Sequence, residues 1–192
     1  MFNEKATSSD ATAALVAKNG GLADSATAKG VYVVQCHDAD GNLKWEAEAP
    51  NLVVKGGLKA MNTQYFTGSA YTATWYLGLY GAAASNNPAA GDTMSSHAGW
   101  TEVTAYSQAT RPACTFGTPT TANPSVATNS ASPATFSING TTTVGGAFLT
   151  SNNTKGGTTG TLYSAADFSA PGDRSVVSGD TLTVTYTLSL AG

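Results

Sequence analysis

The chain has 192 residues, enough for one domain, or one domain with an arm, and for a core that needs no covalent staple. Only 11% of the residues are charged, against about 25% in a typical soluble domain. This composition excludes a coiled coil or helical bundle, whose solvent faces need Lys, Glu and Arg. The many aromatic residues (8 Tyr, 6 Phe and 3 Trp) and the net charge of −3 argue against disorder.

The charge distribution also limits the partners that we expect. Six of the seven lysines precede residue 60, and none of them forms the basic stripe that nucleic-acid binding requires. We therefore expect neither nucleic acid nor an anionic membrane as a partner. The sequence contains no apolar stretch suited to a signal peptide or a membrane span. We expect the chain to be made in the cytoplasm without passing the secretion machinery.

Residues 1–30 are small and polar and are predicted to form an N-terminal arm ahead of a single domain at 31–192. A short helix is predicted only at 11–18, where Asn19-Gly20-Gly21 stops it. Such a segment packs poorly by itself. We expect a neighbouring subunit, a partner surface or the chain's own domain to hold it.

From residue 31 the apolar residues alternate with a period of two. The runs 31–37 and 43–48 flank an Asp-Gly turn, which predicts a β-hairpin. The acidic turn at 38–42 also invites comparison with a calcium-binding loop. Gly41 is fourth in that run, however, whereas the calcium loop between two helices needs glycine at its sixth position. We favour a plain turn.

The best helix candidate covers residues 56–66. Leu58, Met61 and Tyr65 fall on one face of it, together with the polar Asn62.

The rest of the chain is predicted to consist of short strands and loops, with Gly and Pro between the strands. They are expected at 74–80, 112–117, 134–138, 144–150, 160–164 and 181–190, with long loops at 81–99 and 118–133. Along 181–190 five apolar residues alternate with hydroxyl side chains, whose face meets either solvent or a partner. This pattern predicts an all-β fold: an antiparallel β-sandwich or jelly roll with an extended N-terminal arm and one short helix.

Eight aromatic residues fall between residues 65 and 106. Core packing is the ordinary explanation, and we expect it for Trp75, which alternates with Leu77 and Leu79. The alternative is a platform that stacks on sugar rings or anchors an interface. The candidate interface residues are Tyr76, Tyr80, Trp100 and Tyr106.

Few residues in the chain suggest chemistry. Cys36 and Cys114 lie in apolar, strand-like surroundings, so buried free thiols are favoured over a single disulfide bridge. His97 lies near Asp92 and two serines, but sequence proximity does not make a catalytic triad. We expect it to form hydrogen bonds within its loop. The only other histidine, His37, lies in a different strand. Two histidines without a cluster of carboxylates make a poor metal site.

The acidic residues after position 60 are sparse. They are Asp92, Glu102, Asp167, Asp173 and Asp180. A glycoside hydrolase would need two of them across a cleft, and two of the five sit in turn-like contexts. We predict no catalytic residues, no cofactor and no metal ion.

Several segments resemble small β-rich virion proteins that are encoded among the structural genes of tailed bacteriophages. These segments are Asn51-Leu-Val, Trp75-Tyr-Leu-Gly-Leu, Pro88-Ala-Ala-Gly-Asp92-Thr-Met-Ser-Ser-His97-Ala-Gly-Trp100-Thr-Glu102, Tyr106-Ser, Arg111-Pro112, Gly146-Ala-Phe-Leu149, Gly160-Thr-Leu-Tyr163 and Val177-Ser-Gly-Asp180. The pattern covers roughly residues 45–190 and is similar to jelly-roll capsid cement and decoration proteins. Residues 1–30 fall outside it.

The resemblance implies a non-enzymatic protein that binds the outside of the head shell and stabilises it. Its partner would be the major capsid protein, with residues 1–30 and the hairpin 31–49 in contact with the shell. A homo-oligomer is expected, with a trimer favoured over a dimer because capsid lattices offer local threefold sites. The alternative is a phage tail or fibre component that binds host glycan through the aromatic segment. An enzyme is the third hypothesis.

Overall fold

A computed structural model describes residues 26–68, 72, 74–81, 88–168 and 172–192 of the chain. The predicted helix at 11–18 and most of the predicted arm lie outside these residues. The strands are β1 (Thr27–His37), β2 (Leu43–Pro50), β3 (Leu52–Val53), β4 (Trp75–Gly81), β5 (Thr101–Glu102), β6 (Ala113–Cys114), β7 (Ser125–Thr128), β8 (Ala134–Ser137), β9 (Thr142–Val144), β10 (Gly146–Thr150), β11 (Leu162–Asp167), β12 (Arg174–Val176) and β13 (Thr181–Ala191), and the helix is α1 (Lys55–Phe66).

The strands form two main antiparallel sheets that pack face to face as a sandwich. The first sheet has the order β2-β1-β13-β7, and β8 pairs with the other end of β13. The second has the order β3-β11-β10-β4-β5, and β6 also pairs with β4. A small pair, β9 and β12, lies beside them. The predicted class, an all-β antiparallel sandwich with one helix, is confirmed.

The predicted hairpin forms β1 and β2, and the predicted last strand forms β13. β1 and β13 pair along their full lengths, from Thr27 opposite Ala191 to His37 opposite Thr181. The first sheet therefore begins at Thr27, within the predicted arm, and the division into an arm at 1–30 and a domain at 31–192 stays a prediction. The Asp38 carboxylate closes the hairpin turn by accepting hydrogen bonds from the backbone N–H groups of Asp40 and Asn42, both on Oδ1.

The main core lies between the two sheets. The alternation along β1 and β13 sends Tyr32, Val34 and Tyr186 inward, where they are fully buried. Leu77 and Leu79 of β4 meet them from the second sheet. Cys36 and Cys114 are free and buried in this core, as predicted.

The second sheet is covered on both faces, unlike the first. Every residue of β10 is buried, and a second apolar cluster containing Phe148, Tyr80 and Trp100 lies on the outer side of this sheet. The segment 88–100 provides its cover. Within the predicted loop 118–133 the structure places strand β7, so that prediction is wrong for four residues. No helix among the described residues is long and apolar enough to span a membrane.

Candidate interaction surface

Three of the four candidate interface residues are buried inside the chain. Tyr80, Trp100 and Tyr106 are between 0% and 3% exposed, so their rings are unavailable to a partner, and the prediction is wrong for them. Tyr80 does lie on the opposite face of β4 from Leu77 and Leu79, as the alternation predicts. The folded segment 88–100 covers that face.

Specific contacts hold the covering segment in place. Trp100 packs against Tyr80, with ring centroids 5.1 Å apart, and its indole N–H donates to Asp92 Oδ2 at 3.1 Å. The same carboxylate oxygen accepts the backbone N–H of Ala89. His97 stacks on Trp100 at 3.8 Å, and its Nδ1 lies 2.8 Å from the Trp100 carbonyl oxygen. The predicted structural role of His97 within its loop is confirmed.

Tyr106 is buried against Phe136, and Lys155 lies over its ring at 4.5 Å. Lys155 also donates to the carbonyl oxygens of Tyr106 and Gln108. Tyr76, the fourth candidate, is half-buried on β4. Its place in an interface stays a prediction.

Glu102, the carboxylate with the strongest interactions, also has a structural role. Arg111 is almost fully buried and donates to both oxygens of Glu102, at 2.9 Å to Oε1 and 2.6 Å to Oε2. It donates further to the carbonyl oxygens of Asn152 and Gly157. The backbone N–H of Gly156 completes the set on Glu102. This cluster fixes the loop at 152–157.

Asp180 has a similar structural role. It accepts from Lys44 at 2.6 Å and from the backbone N–H of Val177 at 2.9 Å. Burial opposes its ionisation, but the hydrogen bonds from Lys44 and Val177 outweigh burial and lower the pKa of Asp180. Asp180 is thereby held ionised as part of the β12–β13 turn.

Asp167 differs from these carboxylates because burial raises its pKa, and the negative charge of Asp173 raises it further. It lies 3.4 Å from the Tyr80 hydroxyl, which donates to it. Among the described residues, no three His, Cys, Asp or Glu side chains are placed to hold a metal ion together.

The most exposed apolar side chains belong to α1, and the close contact of Gly57 with β11 explains why. A Cβ added to Gly57 would lie 2.3 Å from the carbonyl oxygen of Tyr163 on β11, so only glycine permits this approach. The backbone N–H of Val54 donates to that same oxygen. The helix therefore packs on the second sheet through its first turn, and Gly57 is its buried residue.

Because the helix packs through glycine, its large apolar residues remain outside. Tyr65 is 84% exposed, Phe66 78% and Leu58 48%. Tyr65 and Phe66 lie edge to face, with ring centroids 5.1 Å apart. We call Leu58, Tyr65 and Phe66 the α1 patch. The predicted helix is confirmed, and Leu58 and Tyr65 of its apolar face are exposed. Met61 is half-buried, with its sulfur 3.1 Å from the Tyr163 hydroxyl.

The aromatic end of α1 is held by polar contacts. Gln64 donates to the Thr72 hydroxyl and accepts the Thr72 backbone N–H at 3.0 Å, which ties the helix to the chain that leads into β4. The Thr67 hydroxyl donates to the Thr63 carbonyl oxygen, and Gly68 follows with φ of 64°. These contacts present the two rings from an anchored position rather than from a loose loop.

The outer face of the first sheet is the other broad surface. Its centre pairs Val33 with Thr185 and Val31 with Thr187 across β1 and β13. The hydroxyl residues of β13 are half-buried because strands flank them on both sides. Whether this face meets solvent or a partner stays open. Its hydroxyl side chains are polar and half-buried, whereas Tyr65 and Phe66 are aromatic and more than three-quarters exposed, so the α1 patch is the stronger candidate.

Sequence reasoning missed the α1 patch because an apolar face on a helix ordinarily indicates packing. One signal was present, since the Gly56-Gly57 pair at the start of the helix is costly unless close contact requires it. Comparison of the chain with protein-family models, with curated proteins and with solved structures gives no match. Function must therefore be argued from these residues.

Proposed function

We propose that this protein is a non-enzymatic structural protein of a bacteriophage virion, a capsid cement or decoration protein that binds the outside of the head shell. The observation that carries the proposal is the pair Tyr65 and Phe66, which stand 84% and 78% exposed at the end of an anchored helix. Exposed contiguous apolar side chains mark interaction sites in soluble proteins. Tyr and Phe are also enriched in the cores of protein–protein interfaces.

The state of the carboxylates supports a structural role. Glu102, Asp180 and Asp92 each accept hydrogen bonds that hold a turn or a covering segment in place. A general acid or base needs a carboxyl group free to exchange a proton with a substrate. These three carboxylates are instead occupied in stabilising the domain.

Stabilisation of a shell requires only differential binding. A protein that binds the assembled shell, and not its separated subunits, shifts the equilibrium away from disassembly by mass action. The major capsid protein is the proposed partner, and a homo-oligomer of the cement protein would engage several subunits at once. A trimer suits the local threefold positions of a capsid lattice.

The contribution of the two rings to shell binding can be estimated from the area that they would bury. An aromatic side chain buries about 150–250 Å² when it is covered. Only part of that area appears as affinity, because association costs rigid-body freedom and desolvation. A central aromatic residue in an interface contributes about 2 kcal/mol or more. Loss of both rings should therefore weaken shell binding by on the order of 100-fold or more.

The test is sedimentation with empty heads assembled from the major capsid protein encoded in the same genome. Wild type is compared with the variant Tyr65→Ala/Phe66→Ala, which keeps the helix because Ala is the best helix former. Leu43→Ala/Val177→Ala is the matched control, since both of these residues are also exposed and apolar but lie outside the α1 patch. We expect wild type and the control to cosediment in tens to hundreds of copies per head, and the α1 patch variant to remain in solution.

Two results would count against the proposal. If wild type does not bind heads but is found in a few copies on tails, the tail or fibre alternative is correct. If the α1 patch variant binds heads as well as wild type does, the patch is not the contact. Heads that lack the protein should also release their DNA at a lower temperature than complete heads.

A further inference from the structure

A groove beside the α1 patch lies where the described chain begins. Leu58, Met61 and Asn62 of α1 form one wall, and Leu190 of β13 and Ala28 of β1 form the other. Its volume is about 250 Å³. Leu58 is 48% exposed and Leu190 39%, and the groove has no charged lining residue. It is an apolar surface without a cover among the described residues.

The segment that leads into this groove is the N-terminal one. Ala26, the first described residue, itself lines the groove together with Thr27. The 25 residues before it contain one uncharged apolar run, Ala11-Thr-Ala-Ala-Leu15-Val-Ala, which ends at Lys18. Asn19-Gly20-Gly21 separates this run from the start of β1.

We propose that residues 11–18 of the same chain occupy this groove, with Leu15 against Leu58 and Leu190. The seven residues 19–25 span at most about 25 Å when extended, so the run cannot lie far from Ala26. The two glycines permit the chain to reverse direction and return along the groove. As a helix, the run would be about 12 Å long, a little over two turns, and the groove residues of α1 lie within its first two turns.

The assignment leaves the aromatic end of α1 open. The groove is lined by Leu58, Met61 and Asn62 in the first two turns, whereas Tyr65 and Phe66 lie beyond them. The N-terminal segment, which covers Leu58, and a partner that binds Tyr65 and Phe66 can therefore bind at the same time.

A cross-linking experiment on the full chain tests the assignment. Ala14→Cys is combined with Asn62→Cys, because these two changes leave the large apolar residues of the run and of the groove in place. The control combines Ala14→Cys with Thr135→Cys, an exposed position on β8. Thr135 lies opposite Thr183, seven residues along β13 from Leu190. That separation is about 23 Å at the rise of a strand. Cys36 and Cys114 remain, because both are buried.

We expect mild oxidation to produce a disulfide within one chain in the Asn62→Cys pair, at least about tenfold faster than in the control pair. Equal rates in the two pairs would overturn the proposal, because an undocked segment would sample both positions. A cross-link between two chains would also overturn it, since the run of a second copy would then occupy the groove.

A second measurement avoids the cross-link. In the single variant Asn62→Cys, we expect alkylation of the thiol to be slow, and addition of Leu15→Asp to accelerate it about tenfold by expelling the run from the groove. Leu22→Asp is the matched control, because it adds the same charge outside the run. If both acidic variants leave the alkylation rate of Asn62→Cys unchanged, residues 11–18 do not cover the groove.

Discussion

Replacement of Arg111 by Met is the most informative test of the buried ion pair between Arg111 and Glu102. Met keeps an unbranched apolar stem as far as the position of Nε, and it removes the rest of the guanidinium that Glu102 faces. In the structure both residues are nearly inaccessible, and two hydrogen bonds of 2.6 and 2.9 Å join them. The variant leaves the Glu102 carboxylate with only the backbone N–H of Gly156 as a partner.

The magnitude follows from the cost of an uncompensated buried charge. Removal of one partner from a buried ion pair costs about 3–5 kcal/mol. The guanidinium also satisfies the carbonyl oxygens of Asn152 and Gly157, and an unsatisfied buried acceptor costs about 1–3 kcal/mol unless water reaches it. Because the loop at 152–157 can open to water, we take about 4 kcal/mol for Arg111→Met. A domain of this kind is stable by only about 5–15 kcal/mol.

The assay is urea unfolding followed by tryptophan fluorescence, for wild type, Arg111→Met, Glu102→Gln and the double variant. The double variant has no buried charge, so it should recover at least about 1 kcal/mol relative to Arg111→Met alone. The reasoning is refuted if Arg111→Met costs less than about 1 kcal/mol, or if the double variant is no more stable than Arg111→Met.

Three further predictions concern the helix, the thiols and the pH dependence. Gly57→Ala should cost about 1–3 kcal/mol in urea unfolding because its Cβ meets a backbone oxygen of β11, whereas Gly56→Ala, whose Cβ has ordinary contacts, should be neutral or stabilising. Burial raises the pKa of Cys36 to about 11 and of Cys114 to about 12. Neither thiol should therefore react with a thiol reagent at pH 8 in the folded chain, and both should react once the chain is denatured in the absence of a reductant. A disulfide found in the denatured chain would contradict this. Asp180→Asn should destabilise the domain by about 1–3 kcal/mol at neutral pH. The difference from wild type should shrink below about pH 4, because a lowered pKa stabilises the fold only while the carboxyl is ionised. A difference in the free energy of unfolding that is independent of pH would refute this.

Elements with a clear period were predictable from the sequence, and elements set by distant partners were not. The hairpin and the strand at 181–190 follow from alternation over many residues. β7 and β12 have four and three residues, too few for a period to be visible. β7 exists because its Ser125 and Val126 pair with the far end of β13. No local feature of the loop at 118–133 indicates that pairing.

The candidate site depended even more on long-range structure. The alternation correctly assigned Tyr80 to the outer face of β4, but it contains no information about what covers that face. The bond from the Trp100 indole to Asp92 folds the segment 88–100 over Tyr80, and this converts an apparent surface ring into core. For Tyr65 the core packing favoured for the aromatic residues as a group fails in the opposite way, because contact through Gly57 leaves Tyr65 outside.

These two errors have one physical origin, which also strengthens the assignment of the α1 patch. Periodicity predicts which residues share a face, whereas burial depends on whether another element can approach that face. On α1 the closest approach is made by the smallest residue, Gly57, and the largest residues, Tyr65 and Phe66, lie on surface that the described chain leaves open. A helix that served only the core would reverse this arrangement, because apolar burial scales with the area removed from water. Two exposed rings on an anchored helix instead reduce the solubility of the free protein, and that liability disappears only when a partner covers them.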